Sequence, residues 1–306
     1  MADDNAHYRS GEGVLFTADN TLLYYPRQKA DEAYAVPEGT LRIGSGAFDG
    51  CYFAPAEVTL PDSVTVIEEG AFRSCSSIRS IEISRGLETI GDRAFAYCSS
   101  LVQVNFPEGL RSIGESAFYG TNLQNVQLPS TLESIGASSF SVHEGFGEII
   151  LPENLTSLGR NAFSTDVYKG EMFLQETLRI PVGLEFGKSC MAGVLVKEYE
   201  VEEDNSYLTS AGGLLLSKDG KTLVCVPGQR EGELTVPDGV QHIAYDTFDE
   251  CRDLTDVYLP DSVLDVGNLG KDGYDEPCPY KVHCREGTEA QKQLGAMGVE
   301  WVEIRD

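Results

Sequence analysis

Apolar positions along this 306-residue chain recur in one string. Ile43-Gly44-x-x-Ala47-Phe48 returns, with small changes, at residues 67–72, 90–95, 113–118, 135–140 and 158–163. The successive phenylalanines lie 24, 23, 23, 22 and 23 residues apart. Most are followed by an alternating string that ends in proline, as in Leu101, Val104, Phe106, Pro107 and Leu123, Val126, Leu128, Pro129. Two apolar residues spaced two apart share one face of a strand, and the residue between them faces the other way. The inward set is therefore Val58 and Leu60, Ile81 and Ile83, Val104 and Phe106, Val126 and Leu128. Proline has no amide hydrogen and ends the strand. A period of 22 to 24 residues is one coil of a solenoid, made of a strand, a turn and a helical or 3₁₀ return. Neighbouring coils must bury each other's apolar faces, so the phenylalanines are expected to stack as an internal ladder. Gly44, Gly91, Gly114, Gly136 and Gly159 suit a tight turn, although Glu68 and Ala244 take that place elsewhere.

A longer repeat overlies the short one. Tyr34-x-Val36-Pro37, Ile43, Phe48 and Cys51 match Leu234-x-Val236-Pro237, Ile243, Phe248 and Cys251, at an offset of 200 residues. Upstream of each lies a hairpin pattern: Val14 to Phe16 and Leu22 to Tyr25 around Asp19-Asn20, and Leu214 to Leu216 and Leu223 to Val226 around Asp219-Gly220. The first hairpin is expected to cover the open end of the array. Residues 164–205 keep the strand strings Leu178-x-Ile180 and Val196-x-x-Tyr199-x-Val201 and lose the other half of the repeat. The solenoid either continues irregularly there or breaks into two arrays. Near the end, Thr288-x-x-Gln291 is a capping box, Ala290, Leu294 and Met297 share a helical stripe, and Trp301 lies in a final strand.

The expected organisation is an N-terminal β-hairpin cap at 1–40 and a repeat array at 41–200, irregular after 164. A second hairpin unit at 201–240, further repeats at 241–284 and a helix-strand C-terminal cap at 285–306 complete it.

Charge removes some function classes. With 23 Lys and Arg against 49 Asp and Glu, the net charge is −26. Nucleic acid and anionic membrane both need cations to neutralise phosphate, so neither is an expected partner. No apolar run is long enough for a membrane span, and Met1 to Arg9 shows no export signal. Eight cysteines are too few for a disulfide-built scaffold. Cys51, Cys75, Cys98 and Cys251 follow the repeat and read as small buried hydrophobes. Cys278 and Cys284 either close a loop or alternate along a strand.

Catalytic and metal patterns are missing from the sequence. His7, His143, His242 and His283 are scattered and read as surface or coil-edge residues. Gly44-x-Gly46 lacks the third glycine of a dinucleotide loop, and no nucleophile elbow, HExxH or P-loop occurs. The acidic run Glu198, Glu200, Glu202, Glu203, Asp204 reads as a solvated strand edge, with a weak calcium site as the alternative. No catalytic residue, cofactor or metal is expected.

The Ile-Gly-x-x-Ala-Phe-x-x-Cys-x-x-Leu-x-x-Val-x-Leu-Pro coil, the Gly13-Val14-Leu15 hairpin and the Gly287-Thr288-x-Ala290 helix start resemble the BspA-like family of bacterial leucine-rich repeat proteins. The resemblance implies a right-handed leucine-rich repeat solenoid, an extracellular or cell-surface location and adhesion to host matrix proteins or cells. It carries no catalytic residues. A cytoplasmic location is the alternative, since the chain shows no signal peptide, anchor or sorting motif.

Function is expected on the outward positions of the strand face: Glu57 and Thr59, Ser80 and Glu82, Gln103 and Asn105, Asn125 and Gln127, Glu148 and Ile150, and later Asp256 and Tyr258. This surface of acids, amides and hydroxyls suits a protein or glycan ligand, bound by a monomer that neither contacts nucleic acid nor inserts into a membrane. The competing expectation is a structural spacer within a larger surface protein, without a ligand of its own.

Overall fold

The structure is a computed structural model. It describes residues 5–29, 31–53, 55–124, 126–141, 148–164, 175–186, 196–248, 251–270 and 278–305. The chain divides into two compact units, residues 1–173 and 174–306.

In the first unit each repeat closes one coil of a leucine-rich repeat solenoid. The Ile-Gly half, expected only as a return segment, contributes a short strand of its own. Arg42–Ile43, Val66–Ile67, Thr89–Ile90, Ser112–Ile113, Ser134–Ile135 and Ser157–Leu158 form a parallel sheet, in register from Ile43 through Leu158. This is called the Ile row below. The V-x-L half forms a second parallel sheet, the Val row, of Ala33–Ala35, Glu57–Thr59, Ser80–Glu82 and Gln103–Val104.

Between the rows the Ala-Phe segment makes turns and no helix. Its backbone is bonded from coil to coil, with Phe48, Phe72 and Phe95 N–H donating to the carbonyls of Ala71, Ala94 and Ala117 at 2.7 Å. A turn bonded to its neighbours on both sides leaves few orphan polar groups, which lets so short a segment pass the core.

The phenylalanine ladder forms as expected. Phe48, Phe72, Phe95, Phe118, Phe140 and Phe163 stack with centroids 4.7, 5.1, 5.1, 5.3 and 5.5 Å apart. Tyr25, from the hairpin, stacks on Phe48 at 4.7 Å and adds a first rung that the repeat did not announce. Its hydroxyl donates to Asp31 at 2.7 Å, and Lys29 pairs with the same carboxylate. Each stacked, fully buried ring contributes about 1.5–3 kcal/mol through burial, with about 0.5–1.5 kcal/mol more from stacking.

Gly44, Gly91, Gly114, Gly136 and Gly159 do not take a positive φ. They are small because the preceding coil touches them: a Cβ on Gly136 would stand 2.5 Å from Glu115 N, and one on Gly159 2.2 Å from Ala137 N. Each coil has a left-handed residue two places before its Phe: Gly46, Gly70, Arg93, Ser116, Ser138 and Asn161, with φ between 53° and 62°, and four coils add a second two places after it, at Gly50, Ser74, Tyr97 and Gly120. Close approach and chain reversal are thus handled at two different positions.

The cysteines are buried and do more than fill space. Cys75 and Cys98 donate S–H to the carbonyls of Phe48 and Phe72 at 3.0 Å, and Cys51 to that of Tyr25 at 3.7 Å. Each thiol thus bonds the coil before it. Burial pushes the Cys51 thiol up to about 11. The hydrogen bond with Cys98, followed by burial, drives the Cys75 thiol upward as well. None of the described cysteines forms a disulfide, Cys278 and Cys284 included, and Cys284 is buried at the end of the strand Lys281–Cys284.

The hairpins gain a strand over the expectation. Tyr8–Gly11, Val14–Thr17 and Thr21–Tyr24 form an antiparallel meander whose last strand pairs parallel with Arg42–Ile43. Its first turn uses Glu12 and Gly13, at φ 51° and 85°, as a two-residue hairpin requires.

The second unit repeats this design. Leu208–Ala211, Leu214–Ser217 and Thr222–Cys225 form the meander, and the last strand pairs with His242–Ile243. Before them, Gln175–Ile180 pairs parallel with Val196–Val201. The strands Gly232–Thr235, Leu254–Tyr258, Lys281–Cys284 and Trp301–Glu303 form a parallel sheet. The helix Glu289–Met297 is capped by Thr288 Oγ1, which accepts from Gln291 N–H, and ends at left-handed Gly298. Ala290 and Leu294 enter the unit's core, against which Trp301 packs.

Candidate binding face

The Val row sorts its side chains as the alternation predicts. Val58, Leu60, Ile81, Ile83 and Val104 are buried, while Glu57, Thr59, Ser80, Glu82, Gln103 and Asn105 are exposed. Register pairs Glu57 with Ser80 and Gln103 across three coils, and Thr59 with Glu82. The structure therefore brings Glu57, Ser80 and Gln103 into one file and Thr59 and Glu82 into a second, with Asn105 exposed just past the last strand.

The face changes after Gln103–Val104. Val126 and Leu128, expected to be buried, are half-buried, and neither they nor Ile149 lie in a strand. Gln127, Glu148 and Ile150 are exposed but belong to no sheet, so the structure does not add them to the two files. Asn125 lies outside the described residues.

The fourth coil is also the short one. Nine residues separate Phe72 from Ile81 and Phe95 from Val104, whereas eight separate Phe118 from Val126. The shortened coil still meets the row in register, since Gln124 N–H donates to Val102 O at 3.1 Å just as Arg79 N–H donates to Ala56 O.

A cleft of about 460 Å³ opens at this step, lined by Val102, Gln103, Val104, Asn105, Phe106, Gln124 and Gln127. Phe106 is half-buried and meets Phe118 and Phe140 edge-on, at 5.5 and 6.2 Å. Gln103 Nε2 donates to Asn105 Oδ1 at 3.4 Å. Four amides thus surround the cleft, and no charged group lines it. The alternation rule did not select Gln124. The spacing of 22 between Phe118 and Phe140, against 23 on either side, was the signal that marked its coil.

The cations of this unit are engaged elsewhere. Arg73 forks onto Asp49 at 2.9 and 3.1 Å, Arg42 binds Glu68 at 2.8 Å and Arg93 binds Glu115 at 3.1 Å. These exposed pairs link successive coils, and each is worth about 1 kcal/mol or less.

In the second unit Asp256 and Tyr258 are half-buried and join His283, which was expected at the surface. Asp256 Oδ1 lies 2.7 Å from His283 Nε2, and the Tyr258 ring stacks on the imidazole at 4.3 Å. Parallel register alone places His283 opposite Tyr258. The hydrogen bond from His283 holds the Asp256 carboxyl below the usual carboxylate range, and burial raises the Tyr258 phenol. His7 and His242 are exposed, and His143 lies outside the described residues.

The acidic run is spoken for in part. Glu198 accepts from Thr177 Oγ1 at 3.0 Å, and Glu200 pairs with Arg179 at 3.1 Å. Among the described residues no group of three or more His, Cys, Asp or Glu side chains could hold a metal ion. No described helix is long and apolar enough to cross a membrane.

Comparison with known proteins agrees with the coil geometry. The pattern of the BspA type leucine rich repeat region matches in six copies, over residues 32–143 and 231–269. Among solved structures, the chain is similar to a leucine rich cell surface protein from Faecalibacterium prausnitzii A2-165. Identity there is 22%, the TM-score 0.61, and coverage 92% of this chain and 77% of that one. It is also similar to the pneumococcal vaccine antigen PcpA (20% identity, TM-score 0.59, coverage 90% and 71%). A third is a leucine-rich repeat protein from Bacteroides ovatus ATCC 8483 (20% identity, TM-score 0.59, coverage 92% and 70%). At these identities the likeness is one of fold. No curated protein matches the chain.

Proposed function

Because the chain belongs to the BspA-type leucine-rich repeat proteins, we propose that it is a non-enzymatic recognition module, adhesin-like, that binds a protein partner at a bacterial cell surface. The observation that carries this reading is the pair of exposed polar files on the Val row, Glu57–Ser80–Gln103 and Thr59–Glu82, held in fixed register by a buried ladder. Preorganised side chains lose little freedom on binding, so a regular polar sheet face can recognise a partner without large apolar anchors. The similar F. prausnitzii protein is a leucine rich cell surface protein, which supports the location.

The acid excess selects the partner's chemistry. A chain of net charge −26 attracts basic surfaces, and the attraction weakens as salt screens it.

The test measures binding of the purified chain to a panel of extracellular-matrix proteins at low and high salt, beside the double variant Glu57→Arg, Glu82→Arg. The reading requires a ligand whose binding falls with salt and falls again in the double variant. Binding that the variant leaves intact overturns the assignment of the face, and absence of any ligand favours a spacer role.

A further inference from the structure

The two meanders are a matched pair in different surroundings. Asn5 and Asn205 start them alike: Asn5 Oδ1 accepts from His7 and Tyr8 N–H at 2.9 and 3.0 Å, and Asn205 Oδ1 from Tyr207 and Leu208 N–H at 2.8 Å. Asn205 also uses the other half of its amide. Its Nδ2 donates at 2.8 Å to Pro181 O, in the turn that follows the strand Gln175–Ile180. The strand Val196–Val201 then crosses the second meander, with Tyr199 N–H donating to Gly213 O at 2.9 Å and Val201 N–H to Ser210 Oγ at 3.3 Å. Leu208 and Leu215 are buried there, at 3% and 0% exposure.

The first meander keeps the same face and exposes it. Tyr8, at the place of Leu208, is 45% exposed, and Leu15, at the place of Leu215, is half-buried. Asn5 is exposed, and among the described residues no carbonyl stands to its Nδ2 as Pro181 O does to Asn205.

The far end of the chain carries a coil of the matching form. Trp301 lies opposite Val282 as Tyr199 lies opposite Leu178, and Glu303 opposite Cys284 as Val201 lies opposite Ile180. Ile304 N–H donates to Cys284 O as Glu202 N–H does to Ile180 O, at 3.0 and 3.4 Å. Main-chain groups alternate along a parallel strand, so the N–H groups of Trp301 and Glu303 point away from Lys281–Cys284, as those of Tyr199 and Val201 point away from Gln175–Ile180. The turns agree too, since Thr288 N–H donates to Arg285 O where Leu184 N–H donates to Pro181 O.

We propose that the C-terminal coil of one copy docks on the first meander of the next, so that the chain assembles head to tail. Trp301, itself half-buried, takes the place of Tyr199, and Arg285 O accepts from Asn5 Nδ2 in the place of Pro181 O. The occupant is a second copy because its end coil repeats the register of the coil that the second meander already carries. Such a heterologous contact closes into a ring or grows as an open chain. Burial of Tyr8, Leu15 and Trp301 drives it, while the net charge of −26 opposes it, so screening by salt strengthens the contact. That dependence is opposite in sign to the one expected for a basic ligand. None of these residues belongs to the polar files of the Val row, and the assembly departs from the monomer expected from the sequence.

Sedimentation of the unaltered chain over a concentration series, at low and high salt, tests the joint. Association that grows with concentration and with salt is expected. Asn5→Asp keeps the accepting oxygen and removes the N–H donor, and is expected to weaken association about tenfold. Leu15→Glu blocks one end, and Glu303→Pro, which removes an outward N–H, blocks the other. Each blocked variant alone is expected to stay monomeric, and an equal mixture to form a dimer and nothing larger. Asn5→Asp decides the matter should either blocked variant melt at a lower temperature. An unaltered chain that stays monomeric, association that Asn5→Asp leaves intact, or folded blocked variants that fail to pair overturn the proposal.

Discussion

The Ile row and the Val row are built by the same coils, yet one runs in register through six coils and the other stops after four strands. The Ile row follows a fixed nine-residue arc from the Val row and sits beside the phenylalanine stack. The arc from phenylalanine to the Val row varies, ten residues in the first coil and eight in the fourth. The ring stack holds its spacing while that arc varies, because close-packed interiors forfeit contacts over fractions of an ångström. The core is thus monotonous, and irregularity collects outside it.

The largest way to break this contrast is in the ladder. Phe95→Ala is expected to cost about 3–5 kcal/mol in chemical denaturation. Val104→Ala, at the end of the Val row, should cost about 1–2 kcal/mol, the burial of the methyl groups removed. Equal losses would refute the claim that the stack is the spine of the unit.

Next comes the coil contact. Gly136→Ala should destabilise by about 1–3 kcal/mol through overpacking against Glu115. Ser138→Gly, at the left-handed position of the same coil, should be neutral or stabilising by about 1 kcal/mol. Reversal of that order would show that φ, and not approach, sets the glycine requirement.

The smallest effect lies in the second unit. The Asp256 carboxyl is held below its ordinary range by His283. A depressed acid stabilises the fold above its unfolded pKa, and that stabilisation is lost as pH falls through the lower folded value. Below about pH 4 the unaltered chain should lose stability more steeply than Asp256→Asn. Parallel pH curves for the two would remove the pair from any stabilising role.

Much of this was legible in one chain of letters. The period, the ladder from Phe48 to Phe163, the inward set as far as Val104 and the helix capped by Thr288 each follow from side-chain spacing, because a repeat of fixed length leaves neighbouring coils one way to cover their apolar residues. The early glycines were placed at their turns, but their close approach to the coil behind was not visible, since it is a distance between residues more than twenty apart and no local pattern encodes it. His283 looked solitary for the same reason: its partners Asp256 and Tyr258 are neighbours only through strand register. The candidate face falls between these cases. Its polar files are written in alternation, but where strand pairing ends is a matter of distance between coils, visible only once they are stacked.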